Sequence, residues 1–175
     1  MPTNLDDVST TLPWVGLIAR LVTGGVWLVA GALKVTEPDA SIAAVRAYEI
    51  LPSDVAEIVG LTLPSLEIVV GLALVLGVFT RGAAVVSALL YVAFIIGIAS
   101  VWARGINIDC GCFGGGGANP DAASDYPWEI ARDAALLIAS LLVAWLRRTA
   151  LALDSVLFDR RPVGVAPVVR GSVDL

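Results

Sequence analysis

The chain of 175 residues contains no histidine and only two cysteines. Without imidazole, it cannot build a histidine-ligated metal site, a histidine-ligated haem or a histidine general base. Charged residues make up only 15% of the chain and leave a net charge of −5, so the clustered Lys and Arg that meet phosphates are missing. We therefore expect no nucleic-acid partner, and we expect any chemistry first at Cys110 and Cys112.

Apolar residues, in contrast, are in excess. They make up 58% of the chain, where a soluble domain averages roughly 45–50%. An ordinary soluble domain is thereby excluded. Since a membrane span needs about 20 apolar residues, the length leaves room for four spans, loops and a tail. We predict an all-α, polytopic protein of the lipid bilayer with a four-transmembrane-helix bundle.

Four apolar runs carry this prediction, and the polar residues between them set its boundaries. The predicted organisation is a cytoplasmic N-terminal segment 1–11, a membrane domain 12–148 with spans at about 12–33, 55–79, 83–103 and 130–146, and a partly disordered tail 149–175. Between the first two spans, Pro38 resembles a helix start, and Ile42, Val45, Tyr48 and Leu51 recur every three residues before Pro52. This pattern predicts a short amphipathic helix on the extracytoplasmic membrane surface.

The distribution of basic residues predicts the orientation. With four spans both termini share a side, which carries Arg81, Arg147, Arg148, Arg160, Arg161 and Arg170, whereas the other side carries Lys34, Arg46 and Arg104. The positive-inside rule therefore places both termini in the cytoplasm and the loop 104–128, with both cysteines, outside the cell membrane. Disulfides persist in that compartment.

Cys110 and Cys112 are separated by a single glycine, Gly111, in a glycine-rich loop. A chain bent at Gly111 can bring the two sulfurs to bonding distance, and the small ring would be strained and exchangeable rather than a structural staple. Two other interpretations stay open: idle or structural thiols, and half of a metal site completed by another chain, with Asp109 as a weak oxygen ligand. We expect no metal. Asp109 is expected to raise the pKa of Cys110, which favours Cys112 as the thiolate.

Two charged residues, Arg20 and Glu67, fall inside predicted spans. A charge that faces lipid costs several kcal/mol, so both are expected to face the bundle interior. Their depths suggest an ion pair that joins two helices, and a polar site for a quinone head group or a proton route is the functional alternative.

Further polar and aromatic residues are expected near the outer surface. Glu57, Glu129, Arg132 and Asp133 either anchor the cysteine loop or, as we favour, are solvated interface charges. Trp102, Tyr126 and Trp128 are interpreted as an aromatic belt at the outer boundary.

Three stretches of the chain resemble a known family. Arg20 to Lys34, then Pro38, Tyr48, Leu51 and Pro52, and Glu67 to Arg81 together resemble the DoxX-like membrane proteins. The segment Asp109-Cys-Gly-Cys-Phe113 with its following glycines is similar to the branch that contains the methylamine-utilisation protein MauE. The resemblance covers about residues 14–148. It implies a bacterial four-helix inner-membrane protein, linked to maturation of a disulfide-rich periplasmic dehydrogenase and often found alongside thioredoxin-fold partners.

These observations predict a membrane thiol-disulfide redox protein. The Cys110–Cys112 disulfide would exchange with an extracytoplasmic thiol protein, with Asp109, Gly111 and Phe113 in support and a membrane quinone near Arg20 and Glu67 as a coupled oxidant. The alternative is a non-catalytic assembly or scaffold subunit of a larger membrane complex. A second cysteine pair, which would relay electrons within one chain, is absent, so the protein is expected to need a partner.

Overall fold

In the computed structural model, residues 5–112, 117–146 and Leu153 are described. Five helices follow one another along this part of the chain, and one small hairpin interrupts them. The elements are α1 (Leu5–Val35), α2 (Pro38–Ala47), α3 (Ser53–Leu76), α4 (Thr80–Ala103), β1 (Ile108–Asp109), β2 (Gly117–Ala118) and α5 (Ala122–Trp145). The prediction of an all-helical protein is therefore confirmed, and the hairpin is a feature that the apolar pattern did not indicate.

Three of these helices have the length and composition to cross a membrane within the described residues: α1 over Leu12–Val35, α3 and α4. The protein is thus a multi-pass membrane protein. Helix α5 also has 24 residues and packs along α4, but its first half carries four charged side chains, Asp125, Glu129, Arg132 and Asp133. The fourth span remains a prediction. Helix α5 begins eight residues before the predicted position 130, because buried Ala122 and Tyr126 pack with Ile98, Val101 and Ile108.

Glycines set the register between α1 and α3, which pack closely in antiparallel directions. A Cβ atom at Gly24 would lie 3.0 Å from the carbonyl oxygen of Gly71, and one at Gly71 would lie 2.9 Å from the carbonyl oxygen of Gly24. Gly31 approaches Pro64 in the same way, with 2.8 Å to its carbonyl oxygen. Small residues let membrane helices approach to backbone contact. This register places Gly24 opposite Gly71 and therefore Arg20 beside the end of α3.

Helix α2 forms between the first two long helices, as predicted, and Pro38 lies in its first turn. Its buried face is centred on Ser41 and Ala44, one position away from the predicted Ile42 and Val45 stripe. The Ser41 hydroxyl donates to the carbonyl oxygen of Gly60 (2.8 Å), and Gly60 leaves room for the backbone of Ile42. The contact ties α2 to α3 and aims the chain after α2 toward the cysteine hairpin.

Candidate functional site at the cysteine pair

The cysteines follow β1 in the small hairpin. Ile108 pairs with Ala118 and Asp109 with Gly117 in an antiparallel register, so Cys110 to Cys112 begin the connection between the strands. The Tyr126 hydroxyl holds this hairpin against α5: it accepts from the backbone N–H of Ile108 (2.9 Å) and contacts the carbonyl oxygens of Ile106 and Ile108. One buried hydroxyl therefore accepts one backbone hydrogen bond from the segment that leads into the cysteines, and it donates its single proton to one of the two carbonyl oxygens.

A tight bend at Gly111 brings the two cysteines together. Gly111 has φ +65°, a left-handed conformation that side chains with a Cβ rarely adopt. The backbone N–H of Cys112 lies 3.4 Å from Cys110 Sγ, and Cys112 Sγ lies 3.9 Å from the carbonyl oxygen of Cys110. Both thiols are free in this structure. The arrangement is that of a reduced pair whose sulfurs are held near each other.

The two cysteines are more buried than expected for residues in a flexible outer loop. Cys112 is buried with 7% of its surface exposed, while Cys110 is half-buried. Tyr48, at the end of α2, covers them: its hydroxyl donates to the carbonyl oxygen of Cys110 (2.9 Å), and its ring lies against Gly97 of α4. Cys110 is therefore the more exposed residue of the pair, although its thiol is itself buried. Predicted Phe113 lies outside the described residues.

The surroundings of Cys110 favour its neutral thiol. Its pKa is held well above the usual range, first by hydrogen bonding with the side chain of Cys112, then by burial, the charge of Cys112 and the carboxylate of Glu129. Burial also raises the pKa of Tyr48 above its ordinary value, so its hydroxyl stays protonated and donates. The expected direction for Cys110 thus agrees with the structure, but the neighbours responsible are Cys112 and Glu129 rather than Asp109.

Three potential ligand atoms gather at the hairpin. One oxygen each of Asp109 and Glu129 and the Sγ of Cys110 all lie within 4.8 Å of one another. A structural zinc site takes four ligands, mostly sulfur and imidazole, and two carboxylates with one thiol do not match that set. The same atoms are arranged well for moving a proton between a thiol and a carboxylate.

The intramembrane charges pair differently from the prediction. Glu67 Oε1 accepts from Lys34 Nζ at 2.6 Å, and the two side chains are 0% and 5% exposed. Arg20, also buried, precedes Lys34 by about four helical turns, roughly 21 Å. Glu67 thus pairs with Lys34 rather than with the predicted Arg20, because the contact of Gly24 with Gly71 sets a helix register that the ends of the apolar runs do not reveal.

The outer polar residues divide between surface and interior. Arg46 and Glu57 form an exposed ion pair (2.8 Å), as expected for interface charges. Asp133 is instead buried and accepts from Arg132 at 2.9 Å. Trp102 and Trp128 are exposed, but Tyr126 is 1% exposed and belongs to the core rather than to an aromatic belt. The polar composition of the first turns of α5 does not reveal that one of their faces is buried.

Two small cavities border the cysteines. One of about 40 Å³ is lined by Lys34, Tyr48, Phe94 and the cysteine turn, and one of about 10 Å³ lies between Cys112, Trp27, Tyr91 and Asp133. Cofactor-sized ligands occupy pockets of about 300–1,000 Å³, so these cavities suit one or a few waters. The residues around Lys34 and Glu67 therefore do not fit a quinone ring in this conformation, and no step below uses one.

The fold and this site define a small multi-pass helical membrane protein with a paired-cysteine turn packed against the end of its bundle. The chain belongs to the MauE family: the family model described as methylamine utilisation protein MauE matches residues 12–146. That range includes the long helices, α2 and both cysteines. Comparison with curated proteins and with solved structures gives no match.

Proposed function

We propose that this protein is a thiol-disulfide exchange protein of the inner membrane, in which Cys110 and Cys112 alternate between a disulfide and two thiols. The observation that carries the proposal is the Gly111 turn, which holds Cys112 N–H 3.4 Å from Cys110 Sγ. Membership of the MauE family supports it, because that family is linked to maturation of methylamine dehydrogenase. Four spans, cytoplasmic termini and an extracytoplasmic cysteine hairpin belong to the same proposal.

The exchange runs through Cys110, the more exposed residue of the pair. A thiolate of an extracytoplasmic partner, for which a thioredoxin-fold protein is suitable, attacks Cys110 Sγ of the disulfide, and Cys112 leaves as a thiolate that is then protonated. A second thiolate of the partner attacks its own sulfur in the mixed disulfide and expels Cys110. Two electrons and two protons pass from the partner dithiol to the cysteine pair, and the partner leaves with a disulfide. The reverse sequence oxidises the pair.

Trapping in intact cells tests the proposal. Alkylation with and without prior reduction should show a fraction of molecules with both thiols protected, and Cys112→Ser should accumulate a mixed disulfide at Cys110 because the resolving thiol is gone. Cys110→Ser is the matched control, since it removes the sulfur that a partner reaches. Thiols that stay free in all growth conditions, with full activity of the double serine variant, would reject the exchange.

A second candidate function is a scaffold subunit of a membrane complex with structural cysteines. The burial of Cys112 and the hydrogen bonds of Tyr48 and Tyr126 around the hairpin favour it, because they hold this segment in one conformation. The same double serine variant separates the two: a scaffold retains its co-purifying partners and activity without either sulfur.

A further inference from the structure

Among the acidic side chains around the cysteine pair, Glu129 differs from its neighbours. It lies in the second turn of α5, on the same helix face as buried Tyr126 and Asp133, which are three and four residues away. Its Oε2 is buried and has no hydrogen-bond partner within the described residues. Its carboxylate lies within 4.8 Å of Cys110 Sγ. A desolvated acceptor is thus aimed at the cysteine hairpin.

Each of the other carboxylates near this end of the bundle has one oxygen with a partner, although Asp133 Oδ2 and Glu67 Oε2 are also buried without one among the described residues. Asp133 accepts from Arg132, Glu67 accepts from Lys34, and Asp109 Oδ1 lies 3.4 Å from the N–H of Gly111. A buried polar atom without a partner costs free energy, so an unpartnered carboxylate beside a thiol calls for a chemical explanation. A hydrogen bond that the Cys110 thiol donates to this oxygen, after a small movement of the two side chains, provides that explanation.

We infer that Glu129 is the proton-transfer residue of the cysteine pair, holding the proton that Cys110 gives up as a nucleophile and takes back as a leaving group. This inference rests on the proposed function. When the partner's second thiolate breaks the mixed disulfide, the Cys110–partner S–S bond breaks, the partner's own S–S bond forms, and the electron pair of the broken bond stays on Cys110 Sγ. Protonated Glu129 delivers its proton to that sulfur and becomes a carboxylate, which solvent reprotonates.

Proton transfer from Glu129 is needed because Cys110 is a poor leaving group when it leaves as an unprotonated thiolate. Its pKa is raised by the neighbouring Cys112 side chain and by burial, and a thiolate of high pKa leaves slowly. Several groups face Cys110 from the elements around it: Tyr48 after α2, Asp109 and Cys112 in the hairpin, Glu129 on α5, and Lys34 across the cavity, bound to Glu67. The Arg132 guanidinium, paired with Asp133, also interacts with the cysteines.

A mixed disulfide between Cys110 and glutathione allows the release of Cys110 to be measured separately. In purified Cys112→Ser protein carrying glutathione on Cys110, attack by reduced glutathione on the glutathione sulfur expels Cys110 and yields oxidised glutathione. Attack on Cys110 Sγ expels glutathione instead and is visible only as exchange of isotopically labelled glutathione. The two rates share the same reagents and the same access to the hairpin. Only the first rate requires a proton at Cys110.

We expect Glu129→Gln to lower the rate of Cys110 release by about a hundredfold, the lower end of the range for loss of a general acid, with the label-exchange rate unchanged. Glu129→Asp should restore part of the rate. Asp125→Asn, an exposed acid on the same helix, should leave both rates unchanged.

Equal release rates in the parent and Glu129→Gln proteins, or a parallel fall of both rates, would overturn the inference, because a structural role changes access to both sulfurs together. Thermal unfolding of each variant in the same detergent checks that the bundle is intact, and Glu129→Asp provides the test if Glu129→Gln does not fold. This test can fail or succeed independently of the test of the proposed function. If Cys110 and Cys112 never form a disulfide in cells, the exchange is rejected. The glutathione adduct of purified protein still measures whether Glu129 transfers a proton to Cys110.

Discussion

The middle of the bundle contains a chain of hydrogen-bonded buried polar groups, whereas several buried oxygens at its cysteine end lack a partner among the described residues, as do Thr23 Oγ1 and Glu67 Oε2 on the long helices. In the middle, Trp27 Nε1 donates to Ser87 Oγ (2.7 Å), Ser87 hydrogen-bonds to Ser140 (2.9 Å), and Ser140 donates to the carbonyl oxygen of Leu136. At the cysteine end, the buried oxygens Tyr91 Oη, Glu129 Oε2 and Asp133 Oδ2 have no hydrogen-bond partner among the described residues. Unpaired polar atoms are costly in a bilayer interior. We infer that the Trp27–Ser87–Ser140 chain contributes to stability, whereas the unpaired oxygens at the cysteine end agree with the proton transfer proposed for Glu129.

Loss of the Lys34–Glu67 ion pair should have the largest effect on the free energy of unfolding. Glu67→Leu leaves the Lys34 ammonium buried without its partner, and we expect a loss of about 3–5 kcal/mol in the free energy of unfolding, measured by denaturant titration in detergent micelles. The double variant Lys34→Met, Glu67→Leu should recover most of that loss. A double variant as unstable as the single one would mean that the pair is not what stabilises this contact.

A smaller loss is expected in the middle of the bundle. Ser87→Ala removes the acceptor of Trp27 Nε1 and leaves that buried N–H unpaired, at a cost of about 1–3 kcal/mol in unfolding free energy. The rate of thiol alkylation at Cys110 should not change, since Ser87 touches neither cysteine. If that rate changes several-fold in a folded Ser87→Ala protein, the two regions are not independent.

The smallest effect is expected at Tyr91, whose buried hydroxyl has no partner in the described structure. Because no hydrogen bond is lost, Tyr91→Phe should change the unfolding free energy by less than about 0.5 kcal/mol, the range for substitutions away from specific interactions. The contacts of the ring with Trp27, 4.5 Å between centroids, remain. A loss as large as that of Ser87→Ala would contradict the contrast between the two regions.

Much of the fold could be predicted from the sequence, because long apolar runs and their breakers report directly on spanning helices. The bounds of α3 and α4 lie within three residues of the predicted spans. Helix α5 was predicted too short, since its first turns are stabilised by tertiary burial of Ala122 and Tyr126, which their polar surroundings do not reveal. Composition cannot show that a polar segment has one buried face.

The sequence points to the two cysteines as the candidate site, which stays a prediction, but it did not indicate their surroundings. Lys34 lies just after a predicted span, so the sequence did not indicate that it is buried. Its pairing with Glu67 depends on the register between α1 and α3, which is set by glycine contacts and not by hydropathy. Glu129 resembled a surface charge because its contact with Cys110 joins residues from different elements. One signal was available: Tyr126, Glu129 and Asp133 recur at helical spacing, which would have placed an acid and a phenol on one face of α5.

Tyr48 joins parts of the molecule that are distant in the chain. Its ring rests on Gly97 of α4, its hydroxyl holds the carbonyl oxygen of Cys110, and its own carbonyl oxygen accepts from the guanidinium of Arg104. A force that pulls α2 away from the bundle therefore acts on the backbone of Cys110 through a single side chain. If the proposed exchange takes place, a protein that binds α2 and moves Tyr48 would change the position of Cys110 and hence the rate of the exchange.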